Sequence, residues 1–130
     1  MIVVDASAVL EVLLRTPVAQ AVERRLFAAG ETLHAPHLID IEVARVLRRY
    51  AAARDMRVER GREALEDLAD LSLRRYPHDV LVPRMWALRD NLTAYDAVYV
   101  ALAKALGAPL LTRDRRLANA AGHRARVEVV

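Results

Sequence analysis

Four acidic residues, spread along the chain, occupy positions from which carboxylates can carry out chemistry together. They are Asp5, Glu42, Asp96 and Asp114. Three of them directly follow short apolar segments or lie in the helices that begin after such segments. Asp96 opens a helix that is itself followed by another short apolar segment. If the apolar segments are parallel strands, all four positions gather at the edge where the strands end. The sequence therefore predicts an acidic cluster at one edge of a sheet.

Carboxylates that gather in this way repel one another, and the repulsion limits the chemistry that fits. At ~4 Å each pair of charges costs about 1 kcal/mol in water and about 4 kcal/mol near a protein surface. Favourable interaction with a helix dipole offsets only ~0.3–1 kcal/mol of this repulsion per carboxylate. Protonation or a bound cation must supply the remainder, and an all-oxygen ligand set selects Mg²⁺ or Mn²⁺ rather than zinc. Such a cation suits phosphodiester hydrolysis, because it activates water and stabilises the leaving oxygen.

Each of these acids also has a structural explanation that involves no ligand. Asp5 and Asp114 can act as helix N-caps, and Glu42 can interact favourably with the dipole of its own helix. For each residue taken alone, that explanation stays open. Asp40, two residues before Glu42, is a rival for its role. The four positions in combination favour a shared function over four separate structural roles.

Asp96 is the most informative acid because of the helix that it opens. The segment Ala94–Leu106 carries only Asp96 and Lys104 as charged residues, and a helix that is apolar on nearly all sides is a buried one. A carboxylate in the first turn of a buried helix needs a hydrogen-bonding partner or a metal ion. Thr93 and Asp96 also form a Thr-x-x-Asp capping box, which explains the acid without a ligand.

Short apolar strands alternate with amphipathic helices along the whole chain. We predict strands at residues 1–4, 32–35, 75–76, 109–112 and 126–130, and helices at residues 8–14, 17–29, 38–54, 58–73, 79–90, 94–106 and 113–121. This alternation predicts an α/β fold, a parallel central sheet of about four to five strands with helices on both faces. Residues 1–130 form a single domain in this prediction, and Trp86, Tyr95 and Tyr99 belong to its core.

Composition and charge limit the class of protein further. The chain has 130 residues, no cysteine and a formal net charge of +3. Without cysteine, a disulfide framework and a thiolate metal site are both excluded. No uncharged stretch approaches the ~20 apolar residues of a membrane span, and Met1–Val4 is too short for a signal-peptide core, so we expect a cytoplasmic protein. All 20 basic residues except Lys104 are arginine, which allows contacts with phosphate but equally fits an arginine-rich coding bias.

Four segments of the chain resemble the acidic motifs of PIN-domain ribonucleases, in the order and spacing of that family. They are DAS at residues 5–7, PHLIDIEV at residues 36–43, LTAYDA at residues 92–97 and LTRDRRL at residues 111–117. The similarity covers essentially the whole chain and implies a PIN-like fold. In length and layout the chain looks closest to VapC toxins, the toxin half of VapBC toxin–antitoxin pairs.

The resemblance implies a metal-dependent endoribonuclease that hydrolyses phosphodiester bonds of single-stranded or structured RNA. It implies that the four acids named above are catalytic and hold one or two Mg²⁺ or Mn²⁺ ions. It also implies that Ser7 and Thr112 line the site, and we expect Asn91, just before the third motif, to line the cleft as well. The implied partners are RNA, a VapB-like antitoxin that covers the cleft, and a second copy of the chain in a homodimer or a larger toxin–antitoxin assembly.

Two alternative classes of protein fit parts of the same pattern. A non-catalytic RNA-binding or partner-binding module of this fold would use the acids only as caps, so that alanine at each would cost about 0.5–2 kcal/mol of stability and nothing else. An aspartate-phosphorylating enzyme fits less well. The phosphatase pattern needs an acid two positions after Asp5, where Ser7 stands, and a receiver domain needs a lysine after a late strand, whereas Lys104 lies in a helix.

Overall fold

Five short strands form one parallel sheet within residues 1–120 and 122–130, which the computed structural model describes. The strands are β1 (Ile2–Val4), β2 (Leu33–Pro36), β3 (Leu73–Tyr76), β4 (Leu110–Thr112) and β5 (Val127–Val129). They lie in the order β3-β2-β1-β4-β5, and every pair of neighbours is parallel. The predicted parallel sheet is therefore confirmed, and β1 lies at its centre.

Helices cover both faces of this sheet. They are α1 (Ala6–Leu13), α2 (Ala19–Leu26), α3 (Leu38–Ala52), α4 (Val58–Asp70), α5 (Val82–Ala87), α6 (Ala94–Leu106) and α7 (Arg115–Asn119), with a short 3-10 turn at Asp79–Leu81. Consecutive side chains of a strand point to opposite faces. Ile2 and Val4 accordingly pack in the core cluster formed with α1 to α4, whereas Val3 packs in the cluster formed with α6. The prediction of helices on both faces is confirmed.

The most apolar of these helices, α6, lies inside the protein as its sequence predicts. Every residue from Ala97 to Ala103 is buried. The helix begins after Thr93, and it ends at Gly107, whose φ of +62° is a left-handed conformation that glycine adopts without strain. None of the helices in the described part of the chain, α6 included, combines the length and the hydrophobicity that crossing a lipid bilayer requires.

The structure differs from the prediction mainly at the ends of elements. β3 begins at Leu73, which we place at a helix end from sequence, because that leucine pairs with Leu33 and is buried beside it. The predicted helix 79–90 is a 3-10 turn followed by α5, with proline in the first turn of α5. The helix predicted at residues 113–121 begins only after its cap, Asp114. Its predicted end at Ala121 lies outside the described residues.

Two aromatic residues that the sequence pattern places in the core are exposed. Trp86 is 69% exposed and Tyr95 is 60% exposed, so both predictions are wrong. α5 has only six residues and buries none of them, because Leu81 and Leu88 on either side of it fill the core instead. The third aromatic residue, Tyr99, is buried as predicted.

Candidate active site

Asp5 is the buried centre of the candidate site. It directly follows β1 and is only 7% exposed. Its Oδ1 accepts hydrogen bonds from Ser7 Oγ at 2.5 Å and from Ala8 N at 3.2 Å, and the second of these caps α1. Thr112, the last residue of β4, donates to Oδ2. Burial raises the pKa of Asp5, although the hydrogen bonds from Ser7, Thr112 and Ala8 oppose the rise.

The hydroxyl groups of Ser7 and Thr112 link Asp5 to the loop that carries Asp114. Their two oxygens lie 3.4 Å apart. Ser7 Oγ accepts the N–H of Arg113, and Thr112 Oγ1 accepts the N–H of Asp114, each at 3.0 Å. The ends of β1 and β4 are thereby joined by side chains as well as by sheet pairing. Ser7 and Thr112 therefore lie beside two of the four acids, and their part in lining an active site stays a prediction.

Glu42, in α3, faces the buried helix α6. Tyr99 Oη donates a hydrogen bond to Glu42 Oε1 at 2.6 Å. Burial raises the pKa of Glu42, and the carboxylates of Asp5 and Asp96 raise it further. Burial and the adjacent Glu42 also raise the pKa of Tyr99, so its hydroxyl remains a donor. The core prediction for Tyr99 does not reveal this contact; its position one turn after Asp96, on the same side of α6, is the available signal.

Asp96 and Asp114 complete the set of acids and differ in their environment. Thr93 Oγ1 accepts the N–H of Asp96 at 3.1 Å, as the predicted capping box requires. Burial raises the pKa of Asp96, and the carboxylate of Asp114 adds to the rise. Asp114 is instead paired with Arg116, whose Nη2 lies 2.7 Å from Oδ2 and whose Nε lies 3.0 Å from Oδ1. These hydrogen bonds lower the pKa of Asp114.

The four acids share one edge of the sheet but do not form a ready cage for an ion. Among residues 1–120 and 122–130, no three histidine, aspartate or glutamate side chains stand together in a metal-binding arrangement. The charges nevertheless interact, because Asp5 and Asp96 raise the pKa of Glu42, and Asp114 raises the pKa of Asp96. The backbone positions of the four acids therefore place their charges within interaction range of one another. The predicted common edge is present, and the predicted convergence is incomplete.

The donor atoms at this edge fit a hard divalent cation. Carboxylate and hydroxyl oxygens are the ligands that Mg²⁺ and Mn²⁺ prefer in proteins. Asp5, Glu42 and Asp96 all have a raised pKa, which means that their negative charge is not fully compensated by the protein. Arg116 offsets the charge mainly at Asp114. A cation bound among these acids would supply the missing positive charge.

Asp40 and Asn91 make their described contacts away from this cluster. Asp40 Oδ2 and Oδ1 accept hydrogen bonds from Arg75 Nε at 2.7 Å and Nη2 at 2.9 Å, so this acid ties the start of α3 to β3. The amide nitrogen of Asn91 lies against Gly122, 2.5 Å from the place that a Cβ atom would take there. Asp40 therefore already has a partner, and a lining role for Asn91 stays a prediction.

Comparison with known proteins identifies the family. The family model for the PIN domain matches residues 2–123. The chain therefore belongs to the PIN domain family. It is 42% identical over 130 residues to Ribonuclease VapC12 of Mycobacterium tuberculosis, a match that covers 100% of this chain and 99% of the relative. It is 50% identical over 119 residues to Ribonuclease VapC9 of the same organism, covering 92% of this chain and 90% of the relative.

A solved structure shows the same fold. VapBC2 of Rickettsia felis, bound to a DNA fragment from its promoter, contains a chain that superimposes with a TM-score of 0.69 at 14% identity. The superposition covers 99% of this chain and 98% of that one. The PIN-like fold and the resemblance to VapC ribonucleases that the four motifs predict are thus confirmed.

Proposed function

We propose that this protein is a metal-dependent endoribonuclease that acts as a VapC-type toxin. The observation that carries the proposal is the group of mutually repelling carboxylates at the end of the sheet, of which Asp5 is buried and Glu42 and Asp96 are half-buried. Perturbed acids at one edge are typical of functional sites. Full-length similarity to proteins named ribonucleases supports RNA as the substrate. A module that used its acids only as helix caps would have no reason to place Glu42 half-buried beside the other acids, because Glu42 caps no helix.

The proposed site residues have distinct roles. Asp5, Glu42, Asp96 and Asp114 would hold Mg²⁺ or Mn²⁺ through their carboxylate oxygens. When bound, the ion supplies Lewis-acid activation of water and of the phosphodiester. Ser7 and Thr112 keep both oxygens of Asp5 in one orientation. Tyr99 occupies Oε1 of Glu42, which leaves Oε2 for the ion.

Arginines at the rim of the site fit an RNA backbone. The Arg116 side chain is 86% exposed although it pairs with Asp114. Arg113 stands between Thr112 and Asp114 in the sequence, and its side chain pairs with Glu11. Because the Arg116 side chain is largely exposed and that of Arg113 is partly exposed, these guanidinium groups can exchange a carboxylate for a phosphate. We assign them to binding of the RNA backbone.

The proposal also includes protein partners. We propose that a VapB-like antitoxin covers the acidic edge and extends into an open groove of about 650 Å³ between α1, α2 and the end of α4. The groove is lined partly by apolar side chains, among them Val9, Val12, Leu13 and Leu71. We further propose that the single domain of residues 1–130 forms a homodimer, enters a larger toxin–antitoxin assembly, and works in the cytoplasm, where RNA is available.

RNA cleavage by the purified protein tests this function. The protein is freed of any co-purifying antitoxin and incubated with an RNA pool in Mg²⁺, in Mn²⁺ or in EDTA. We expect internal cuts with either ion and none in EDTA. Folded protein that retains RNA on a filter without cutting it in either ion would contradict the enzyme and support the non-catalytic binding module.

A further inference from the structure

The N-terminus of α3 has no capping residue of its own. His37 occupies the N-cap position with φ −51° and ψ −28°, and its side chain makes no capping hydrogen bond. The side chain of His78, 40 residues after Leu38, supplies one instead, because its Nε2 accepts the N–H of Leu38 at 3.0 Å. A ring nitrogen that accepts a hydrogen bond carries no proton. His78 Nε2 therefore supplies the acceptor that the start of α3 itself lacks.

Three contacts hold the start of α3 against β3 and the residues just after it, and the hydrogen bond to His78 is the last of them along the chain. Arg75 forms a bidentate ion pair with Asp40, the third residue of the helix. The carbonyl oxygen of Tyr76 accepts the N–H of His37 at 2.8 Å. The N–H of Leu38 is the next donor along the chain, and His78 accepts it. Two successive backbone donors at the turn from β2 into α3 are thus satisfied by the last residue of β3 and by His78, two residues after it.

Glu42 follows Leu38 by one helical turn, so the same contacts determine where its carboxylate lies. In an α-helix the N–H of residue 42 bonds to the carbonyl of residue 38. Glu42 Oε1 must also meet Tyr99 Oη, which the buried helix α6 fixes from the other side. A first turn that frays would release the backbone under Glu42 while Tyr99 stayed in place.

We propose that His78 is a positioning residue of the ribonuclease site. Its imidazole fixes the first turn of α3 and, through that turn, the carboxylate of Glu42. The inference rests on the proposed function, since the position of Glu42 matters for cleavage only if Glu42 acts in it. His78 needs no contact with RNA for this role.

Two substitutions separate the hydrogen bond from the bulk of the ring. His78→Gln can place Oε1 where Nε2 lies and still accept the N–H of Leu38, whereas His78→Leu has a similar size and no acceptor. His37→Gln is the matched control, because it removes the neighbouring imidazole, whose ring centre lies 6.1 Å from that of His78, and leaves the cap intact. We expect His78→Leu to lower kcat for RNA about tenfold with KM changed less than about twofold, and the two glutamine variants to stay within about threefold of wild type.

Amide hydrogen exchange of the peptide covering residues 38–42 provides a readout that needs no activity. We expect exchange there to be about tenfold faster in His78→Leu and close to wild type in His78→Gln and His37→Gln. If His78→Leu does not fold, His78→Asn, whose amide is too short to reach Leu38, replaces it.

The inference is overturned if the leucine variant keeps wild-type exchange and kcat, or if His78→Gln is as impaired as His78→Leu. A wild type that cuts no RNA would instead contradict the proposed function. In that case the exchange pattern alone would still decide whether His78 caps α3.

Discussion

Asp5 keeps a carboxylate at the end of β1, where only 7% of the residue is exposed. Ser7, Thr112 and the N–H of Ala8 all donate to it. These donors orient both oxygens but carry no positive charge, so burial prevails and the pKa of Asp5 is raised. The residue is therefore well positioned and poorly neutralised, which is the state expected of a ligand for a cation.

The hydroxyl of Thr112 should contribute both to stability and to the site. Thr112→Val keeps the approximate side-chain volume and removes the donor to Asp5 Oδ2 and the acceptor of the Asp114 N–H. Because the residue is fully buried, we expect the free energy of unfolding in urea to fall by about 1–3 kcal/mol. Thr112→Ser keeps the hydroxyl and is the control. Equal unfolding free energies for the valine variant and wild type would contradict the assigned hydrogen bonds.

Charge on Asp96 should cost stability at neutral pH. Its pKa is raised above the ordinary 3.8 by burial and by Asp114, so the folded protein binds this proton more tightly than the unfolded chain does. Stability linked to Asp96 is therefore greatest below the ordinary value and declines as the pH rises through the raised one. We expect Asp96→Asn to remove this decline and to be at least as stable as wild type at pH 7.5, although inactive.

Urea denaturation at about pH 5 and pH 7.5 checks this expectation. Asp70→Asn, a change of an exposed acid at the end of α4, is the control for loss of a carboxylate elsewhere. If Asp96→Asn were clearly less stable than wild type at the higher pH, the charge of Asp96 would be compensated within the protein. That result would contradict the raised pKa of Asp96.

At the scale of elements, local patterns determine what the sequence can predict. The apolar run at Ile2–Val4 and the capped, nearly uncharged α6 follow from neighbouring residues alone. β3 does not, because its sequence Leu-Arg-Arg-Tyr has strand structure only through pairing with β2 at the edge of the sheet. The exposure of Trp86 is equally non-local, since the short α5 leaves the core to residues on either side of it.

The same distinction applies to the candidate site. Asp5, Asp96 and Asp114 can be predicted because each stands next to a strand end or a helix start, and Glu42 lies one turn further along the helix that follows β2. The bond from Tyr99 to Glu42 joins residues 57 positions apart, and the bond from Leu38 to His78 joins residues 40 positions apart. Spacing along the chain places Tyr99 on the same side of α6 as Asp96, but it identifies neither bonding partner, because both contacts depend on how α3, α6 and β3 pack together.

The cap of α6 should stabilise the element that carries Asp96. Thr93→Ala removes the oxygen that accepts the N–H of Asp96, and we expect the free energy of unfolding to fall by about 1 kcal/mol. Thr93→Ser should recover most of that loss. Chemical denaturation of the three proteins provides the comparison. An alanine variant as stable as wild type would show that the buried face of α6, and not its cap, sets the position of Asp96.

At the scale of the whole molecule, one arginine joins the C-terminal strand to the remainder of the fold. Arg25 Nε lies 2.7 Å from Glu128 Oε2 in β5, and the same guanidinium pairs with Glu31. Glu31 also accepts the N-terminal ammonium of Met1 at 2.7 Å. That ammonium and Arg25 together lower the pKa of Glu31 from 4.5 to about 2. Stability from Glu31 is thus present above pH 4.5 and is lost as the pH falls towards 2.

Loss of Arg25 should loosen both ends of the chain. In Arg25→Met we expect faster hydrogen exchange in β5, a free energy of unfolding lower by about 1–2 kcal/mol at neutral pH, and a weaker loss of stability on acidification. Arg24→Met changes the exposed neighbour on α2 and is the control. Unchanged exchange in β5 would mean that the apolar side chains of the strand, and not this network, hold it in place.

The central claim is that carboxylates at the end of the sheet bind a divalent ion and hydrolyse RNA. The most direct test measures Mn²⁺ binding by calorimetry and RNA cleavage on the same samples of wild type, Asp96→Asn and Asp70→Asn. We predict that wild type and Asp70→Asn bind the ion and cut RNA, whereas folded Asp96→Asn loses cleavage by at least about a hundredfold and binds the ion more weakly. Cleavage by Asp96→Asn at the wild-type rate, or wild-type cleavage that continues in EDTA, would contradict the claim.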